Sequence, residues 1–446
     1  MSGMTLADTV NQQCLCRTLE PALLRNALES DPSLHGLADR LALTHPHLFS
    51  QTTVFVDAAM QQTMVDAVAA LHRVTALPAY VAHALAVAPE SARHDFGPAG
   101  VFMGYDFHLG PDGPRLIEVN TNAGGALLNA ALARATRRCC GSMQGLFDAA
   151  GLLPDALDDT FVAMFRAEWA AQRGEQPWRT VLVVDDAPDA QYLAPEFALA
   201  QRLFTQAGLA AAVADPRDLL WRDGALWHPA LPAGQPVDLV YNRITDFALA
   251  APEHQALQQA YQAGAVVLTP HPRVYALQAD KRNLVGLSDP AQLAGWGASA
   301  ADSTTLQRVL PRTVAVTAEN AATLWAERRG WFFKPIQGFG ARGAYRGDKL
   351  TRRVWQQIGA GGYVAQELVP PSERLVDVNG TPTRLKLDLR AYAWRGQVQL
   401  LAARTWSGQT TNFRTDGGGF APGVMLPALH LSSAATPSPA HCPSCA

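Results

Sequence analysis

A chain of 446 residues with 48% hydrophobic and 17% charged side chains is long enough for two or three domains around a sizeable core, and its composition excludes disordered and fibrous classes. A net charge of −3, with no long basic run, gives no general attraction to nucleic acid or an anionic membrane surface, so neither is an expected partner. The apolar runs, such as 209–214, are short and soon interrupted by charge, and no transmembrane helix is expected.

Six cysteines stand as Cys14/Cys16, Cys139/Cys140 and Cys442/Cys445. Without a basic-then-apolar leader at the N-terminus, a reducing, cytoplasmic setting is expected. Cys442-Pro-Ser-Cys445 could be a redox pair or half a zinc site. No second pair sits at zinc-ligand spacing, however, and the stretch ends a Ser/Ala/Pro/Thr-rich segment that reads as a flexible tail over 429–446.

Residues 1–50 carry helical periodicity broken by Pro21, Pro32 and Pro46, which predicts short packed helices. Over 54–77 the apolar positions Met60, Met64, Val65, Val68 and Leu71 recur at helical spacing up to Pro78, which predicts one long amphipathic helix. Next comes Gly104-Tyr-Asp-Phe-His-Leu-Gly-Pro-Asp-Gly-Pro-Arg-Leu-Ile-Glu-Val-Asn120, two strand-like segments around a turn. Glu118 and Asn120 are two apart and share a strand face. If the turn closes a hairpin, Asp106 joins them as a cluster of hard oxygen donors suited to Mg²⁺ on a phosphate-bearing substrate. A solvated hairpin with an ordinary acidic face is the plainer alternative. Gly124-Gly125 then leads into an Ala/Leu-rich helix.

From Trp178 strands and helices alternate: a strand at 180–186, a helix at 196–208, and strands at 209–214, 237–243 and 264–268. That order predicts a parallel α/β unit. Asp185, Asp186, Asn242 and Arg243 fall at its carboxyl strand ends, where such sheets bind ligands, although each alone reads equally as an end-cap.

Asp280-Lys281 opens the next segment, followed by Trp331-Phe-Phe-Lys-Pro-Ile-Gln-Gly-Phe-Gly-Ala-Arg-Gly343. Gly338, Gly340 and Gly343 spell a G-x-G-x-x-G, but the residues after them read as a returning strand and not as the helix a dinucleotide fingerprint needs. A glycine-rich flap closing over phosphates fits better, with Lys334 beneath it, because an unpaired ammonium on an apolar strand is costly. Gln366-Glu-Leu-Val369, before two prolines, could be a purine-binding hinge or an ordinary edge strand. Arg384-Leu-Lys-Leu-Asp-Leu-Arg390 alternates strictly, setting Lys386, Asp388 and Arg390 on one face, where they need water or an anionic partner. Thr410-Thr-Asn-Phe-Arg-Thr-Asp-Gly-Gly-Gly419 is a glycine-rich loop carrying Asn412 and Arg414.

Taken together, Lys281, Lys334, the flap, the 366–369 hinge, Asp388-x-Arg390, Asn412 with its glycines, and Asp106…Glu118-x-Asn120 resemble the ATP-grasp superfamily. The metal hairpin, which that family usually places last, comes first here, an order similar to that of glutathionylspermidine synthetase-like ligases without their amidase domain. The resemblance covers roughly residues 95–130 and 178–425. It implies a circularly permuted ATP-grasp fold of mixed α/β and α+β class with a parallel α/β pre-ATP-grasp domain. The implied division is 1–150 (helices and hairpin), 176–275 (pre-ATP-grasp-like), 276–428 (nucleotide-binding subdomains) and the tail. One departure is Gly104, where those synthetases carry arginine.

The resemblance also implies ATP with one or two Mg²⁺, Mn²⁺ being able to substitute, and small carboxylate and amine substrates such as an amino acid, small peptide or polyamine. Asp106, Glu118 and Asn120 would hold the metal. Lys281, Lys334, Gly338, Gly340, Gly343, Gln366, Glu367, Val369, Glu373 and Asn412 would hold the nucleotide, and Arg390 and Arg414 would be catalytic. A carboxylate–amine ligase is the main expectation. A phosphotransferase and a non-catalytic nucleotide-binding module remain open.

Overall fold

The computed structural model describes residues 5–15, 17–110, 112–136, 156–336, 338 and 343–426. Gly340, Cys16, the Cys139/Cys140 and Cys442/Cys445 pairs and the 429–446 tail lie outside them.

Short helices at Leu6–Gln13, Pro21–Leu28 and Leu37–Thr44 open the chain. The long helix predicted from residue 54 instead begins at Ala58, capped by Asp57, whose side chain accepts from Ala59 N–H at 2.8 Å. Val54–Asp57 before it is a strand, β1, buried at every position. Its β-branched and aromatic residues suit a sheet enclosed on both faces, whereas the helical period belongs only to Ala58–Thr75. β2 (Met103–Gly110) and β3 (Gly113–Asn120) form an antiparallel hairpin. Its register pairs Asp106 with Glu118 and then Phe107 with Leu116, so Ile117 is the extra residue of a bulge.

β4 (Thr180–Val184) and β5 (Ala210–Ala214) are parallel and flank the helix Ala194–Gln206. A small hairpin of β6 (Leu220–Arg222) and β7 (Ala225–Trp227) follows, and β8 (Leu239–Asn242) and β9 (Val267–Thr269) complete a parallel sheet in the order β5-β4-β8-β9. Four strands, β10 (Thr313–Ala315), β11 (Trp331–Pro335), β12 (Tyr345–Arg346) and β13 (Tyr363–Glu367), make a small antiparallel sheet. It covers its own core of Val316, Leu324, Trp331, Phe333, Ile358 and Ala365.

The chain ends in β14 (Ser372–Val378), β15 (Thr381–Trp394), β16 (Gln397–Trp406) and β17 (Gly419–Leu426), which meet the early strands in a seven-stranded sheet of order β1-β17-β16-β15-β2-β3. The 14 residues of β15 exceed the length of any one neighbour. Its first half pairs with β14, and its second half pairs with β2, setting Arg390 opposite Asp106. At the end of that hairpin Gly125 adopts φ +100°, and a Cβ there would lie 2.3 Å from the Phe420 ring. Glycine is the residue that fits.

Glu168 ties the layers together. Fully buried, its carboxylate accepts from the backbone of Ala99 and Gly100, the Thr269 hydroxyl and the Trp394 indole, all within 2.6–2.8 Å. Glu168→Ala would leave four donors without their acceptor, and we expect a loss of about 3 kcal/mol or more. Urea unfolding checks this as a lowered midpoint at unchanged slope; an unshifted midpoint would refute the role.

Candidate functional site

Between the small sheet and the seven-stranded sheet runs a cleft of about 640 Å³. Six cationic side chains (Lys281, Lys334, Arg346, Lys386, Arg390, Arg404) line it against four acids (Asp106, Glu118, Glu367, Glu373). The excess of positive charge suits an anionic ligand.

Lys334 sits mid-strand on β11 and is 8% exposed. Its ammonium donates to the Ile117 carbonyl at 2.6 Å and to Gln366 Oε1 at 2.9 Å. The bulge therefore leaves Ile117 outside the ladder register, with its carbonyl available to the small sheet's lysine. Burial, with the Lys281 charge adding to it, pushes the Lys334 ammonium down to about 8 against the opposing pull of Glu118 and Asp106. Lys281 reaches Gly338 O at 3.0 Å and Glu118 Oε1 at 3.3 Å. Lys334 thus joins the small sheet to β3, and Lys281 joins Gly338 to β3.

Asp106 is 3% exposed and accepts four hydrogen bonds. Arg390 Nε gives to Oδ1 at 2.6 Å, while Arg390 Nη2, Arg404 Nη2 and Asn120 Nδ2 give to Oδ2 at 2.7, 2.9 and 3.1 Å. Burial opposes its charge, but the two guanidinium groups prevail and hold the carboxyl well below the usual range. Arg404 also makes a two-pronged pair with Asp388 at 2.8 Å on each prong, and the Thr411 hydroxyl donates to Asp388 at 2.9 Å. Acids and arginines alternate across β2, β15 and β16, a balanced arrangement for buried charge.

For a divalent cation, Glu118 and Asn120 bring a carboxylate and an amide to the cleft wall, two residues apart on β3, where Asp106, Glu367 and Glu373 also line it. One carboxylate, one amide oxygen and ligand phosphates make a set that fits Mg²⁺. Among the described residues, no trio of His, Cys, Asp and Glu forms a self-sufficient metal cluster.

The cleft brings together Asp106, Glu118, Asn120, Lys281, Lys334, Gly338, Gln366, Glu367, Val369, Glu373 and Arg390. Gly343, at φ +70°, lies beside Tyr363 outside the lining. Asn412 lies outside it too: its amide bonds Ser407 O at 2.9 Å and Thr410 O at 3.2 Å and accepts from Arg414 N–H, so the loop itself uses it. Arg414 is exposed and outside the lining, although its neighbour Phe413 belongs to it. At the strand ends of the parallel sheet, Asn242 and Arg243 are held by Pro270 O and Asn122 O. Sequence reading passed over His108, whose Nδ1–H donates to the Val369 carbonyl at 2.7 Å, and Arg404. His108 had a signal, lying two residues after Asp106 on the same strand.

The depressed Lys334 makes a pH prediction. Its folded value of about 8 lies below the 10.5 of the free side chain, so between them the unfolded chain holds the extra proton and stability rises with pH. Relative to Lys334→Met, the wild-type chain should gain up to about 3 kcal/mol over that window. Denaturant titrations of both at pH 7 and 10 measure it, and a constant difference would refute the depressed ammonium.

No family model matches the chain, and no curated protein matches it. Among solved structures it is similar to a glutathione synthetase-like effector from Globodera pallida in its apo form, with 12% identity and TM-score 0.53 over 93% of this chain and 100% of that one. Weaker likenesses, which establish no shared overall fold, are to a protein assigned as a gamma-glutamylcysteine synthetase from Methylobacillus flagellatus and to the ATP-grasp ligase PsnB with minimal precursor, Mg and ADP. The first has 12% identity and TM-score 0.44 over 80% and 86% of the two chains; the second has 15% and 0.29 over 55% and 88%. With a mixed sheet facing a small antiparallel one across a lysine-lined cleft, the chain shares the overall fold of that glutathione synthetase-like effector.

Proposed function

We propose that the chain is an ATP- and Mg²⁺-dependent ligase that joins a carboxylate to an amine through an acyl phosphate. The observation that carries this is the convergence of Lys281, Lys334, Glu118, Asn120, Arg390 and Arg404 on one cleft. Phosphoryl transfer needs positioning and charge neutralisation more than a covalent catalyst, and these residues are of the types that supply both. In this reading the hairpin order is a circular permutation, and the parallel sheet of β4, β5, β8 and β9 is the pre-ATP-grasp unit.

Lys281 and Lys334 hold the phosphates next to the leaving oxygen, exchanging their present carbonyl and carboxylate partners for them. The hinge backbone at Glu367 and Val369 meets the base, and Glu373 on the cleft wall is placed for the ribose. Glu118 and Asn120 hold Mg²⁺, which when bound neutralises charge on the transferring phosphoryl group. The substrate carboxylate attacks the γ-phosphorus and ADP leaves. The amine then attacks the acyl carbon, loses a proton, and phosphate departs. Arg390 steadies the charge that grows on the acyl phosphate and the tetrahedral intermediate. The flap around Gly338 keeps water from the acyl phosphate.

The test is phosphate release from MgATP with pools of amino acids, polyamines, small peptides and thiols. Amine-dependent ADP and phosphate formation supports the ligase. A phosphorylated product would instead establish a phosphotransferase, and ATP binding without turnover a binding module. For the active pair, Arg390→Ala is expected to lower kcat about 100-fold or more while ATP affinity stays within a few-fold. Equal losses in both would remove Arg390 from its role.

A further inference from the structure

Resting on that reading and deepening it, we infer that Asp106 is a positioning residue, which anchors Arg390 and Arg404 and orients Asn120, and that Glu118 and Asn120 hold the divalent cation without it. A carboxylate ligand needs an oxygen lone pair open to the cleft. Asp106, though on the cleft wall, is almost fully buried; its Oδ2 takes three N–H donors from three side chains and its Oδ1 takes the Arg390 Nε–H at 2.6 Å. The two guanidinium groups bonded to it would also repel a cation brought to the same oxygens.

Glu118 and Asn120 differ in each respect. The Glu118 side chain is 32% exposed and has one ionic partner, Lys281, at 3.3 Å. Asn120 gives its amide N–H to Asp106 at 3.1 Å. That bond assigns the orientation of the amide and turns its Oδ1 away from Asp106 as a free acceptor. Asp106 thereby acts on the metal site through a neighbour, as outer-shell carboxylates do.

Gly104 belongs to the same device. A Cβ there would stand 3.3 Å from Arg390 Nε and 2.7 Å from Ala123 Cβ. Gly104 is paired with Asn120 on one side and with Tyr392 on the other. Its missing side chain leaves the space in which the Arg390 guanidinium lies flat against Asp106. Asp388 balances Arg404 from the far side. The four charges form two acid–arginine pairs, and none of them requires a metal for neutrality.

Manganese titrations followed by electron paramagnetic resonance, with and without ATP, separate the roles in the full chain. Glu118→Gln should weaken ATP-dependent Mn²⁺ binding about tenfold or more, while Asp106→Asn should change it less than about twofold and still lose about 100-fold in kcat. Equal weakening of Mn²⁺ binding in the two variants would overturn the inference. Asp106→Asn takes the carboxylate from buried Arg390 and can fail to fold, so Arg404→Gln, whose position also pairs with Asp388, serves as a second probe. If Asp106 is a ligand shielded by arginine, removing Arg404 tightens Mn²⁺ about tenfold and the inference falls; unchanged Mn²⁺ affinity with lowered kcat supports it. Gly104→Ala should likewise lower kcat at unchanged Mn²⁺ affinity. A wild-type chain with no ATP-dependent Mn²⁺ site would overturn the nucleotide reading, and this inference with it.

Discussion

The cleft depends on one cross-strand meeting, that of Asp106 on β2 with Arg390 on β15. A buried aspartate and a buried arginine are each costly alone, and together with Arg404 and Asp388 they become tolerable only in this register. A slip of one residue would turn every one of these charges into the apolar face occupied by Tyr105, Phe107, Leu389 and Ala391. The charges therefore specify alignment more than they add stability. Everything beyond the hairpin follows from that alignment. Glu118 comes to face the cleft, Ile117 comes within reach of Lys334, and His108 comes within reach of the hinge.

Three contacts that cross the cleft to β2 and β3 are polar. Lys334 to Ile117, Lys281 to Glu118 and His108 to Val369 are hydrogen bonds or ion pairs. The small sheet keeps a separate apolar core beneath its own helices. Polar contacts of this kind exchange readily for those of an anionic ligand, whereas an apolar seam would have to be torn open. The lysines are thus kept in place by groups they can give up. A buried cation with no acceptor would carry the full cost of desolvation.

Much of the site was readable because it is written along single strands. Period two places Glu118 with Asn120, and Lys386 with Asp388 and Arg390, without knowledge of the fold. What joins strands was not readable. Arg404 matters through its register opposite Asp388, which is set by a hairpin turn on the other side of Trp394. The Ile117 bulge has no residue type that announces it. Asn412 had the right chemistry for a triphosphate helper, but its own loop claims the amide. β1 was hidden for a related reason. Its helical neighbour extends the apolar pattern backwards, and the partner that makes Val54–Asp57 a strand is β17, at the far end of the chain.

The joining of β2 to β15 also has a consequence during synthesis. Asp106 and Arg390 are 284 residues apart, and at the usual ribosomal pace of about 5–20 residues per second the hairpin waits tens of seconds for its partner. Through that interval one edge of β2 has no neighbour, and a bare edge recruits other strands. The Asp106 carboxylate, expensive to bury without arginine, discourages apolar substitutes from taking the empty place. The same charge that aligns the finished cleft would protect the unfinished chain from pairing with the wrong one.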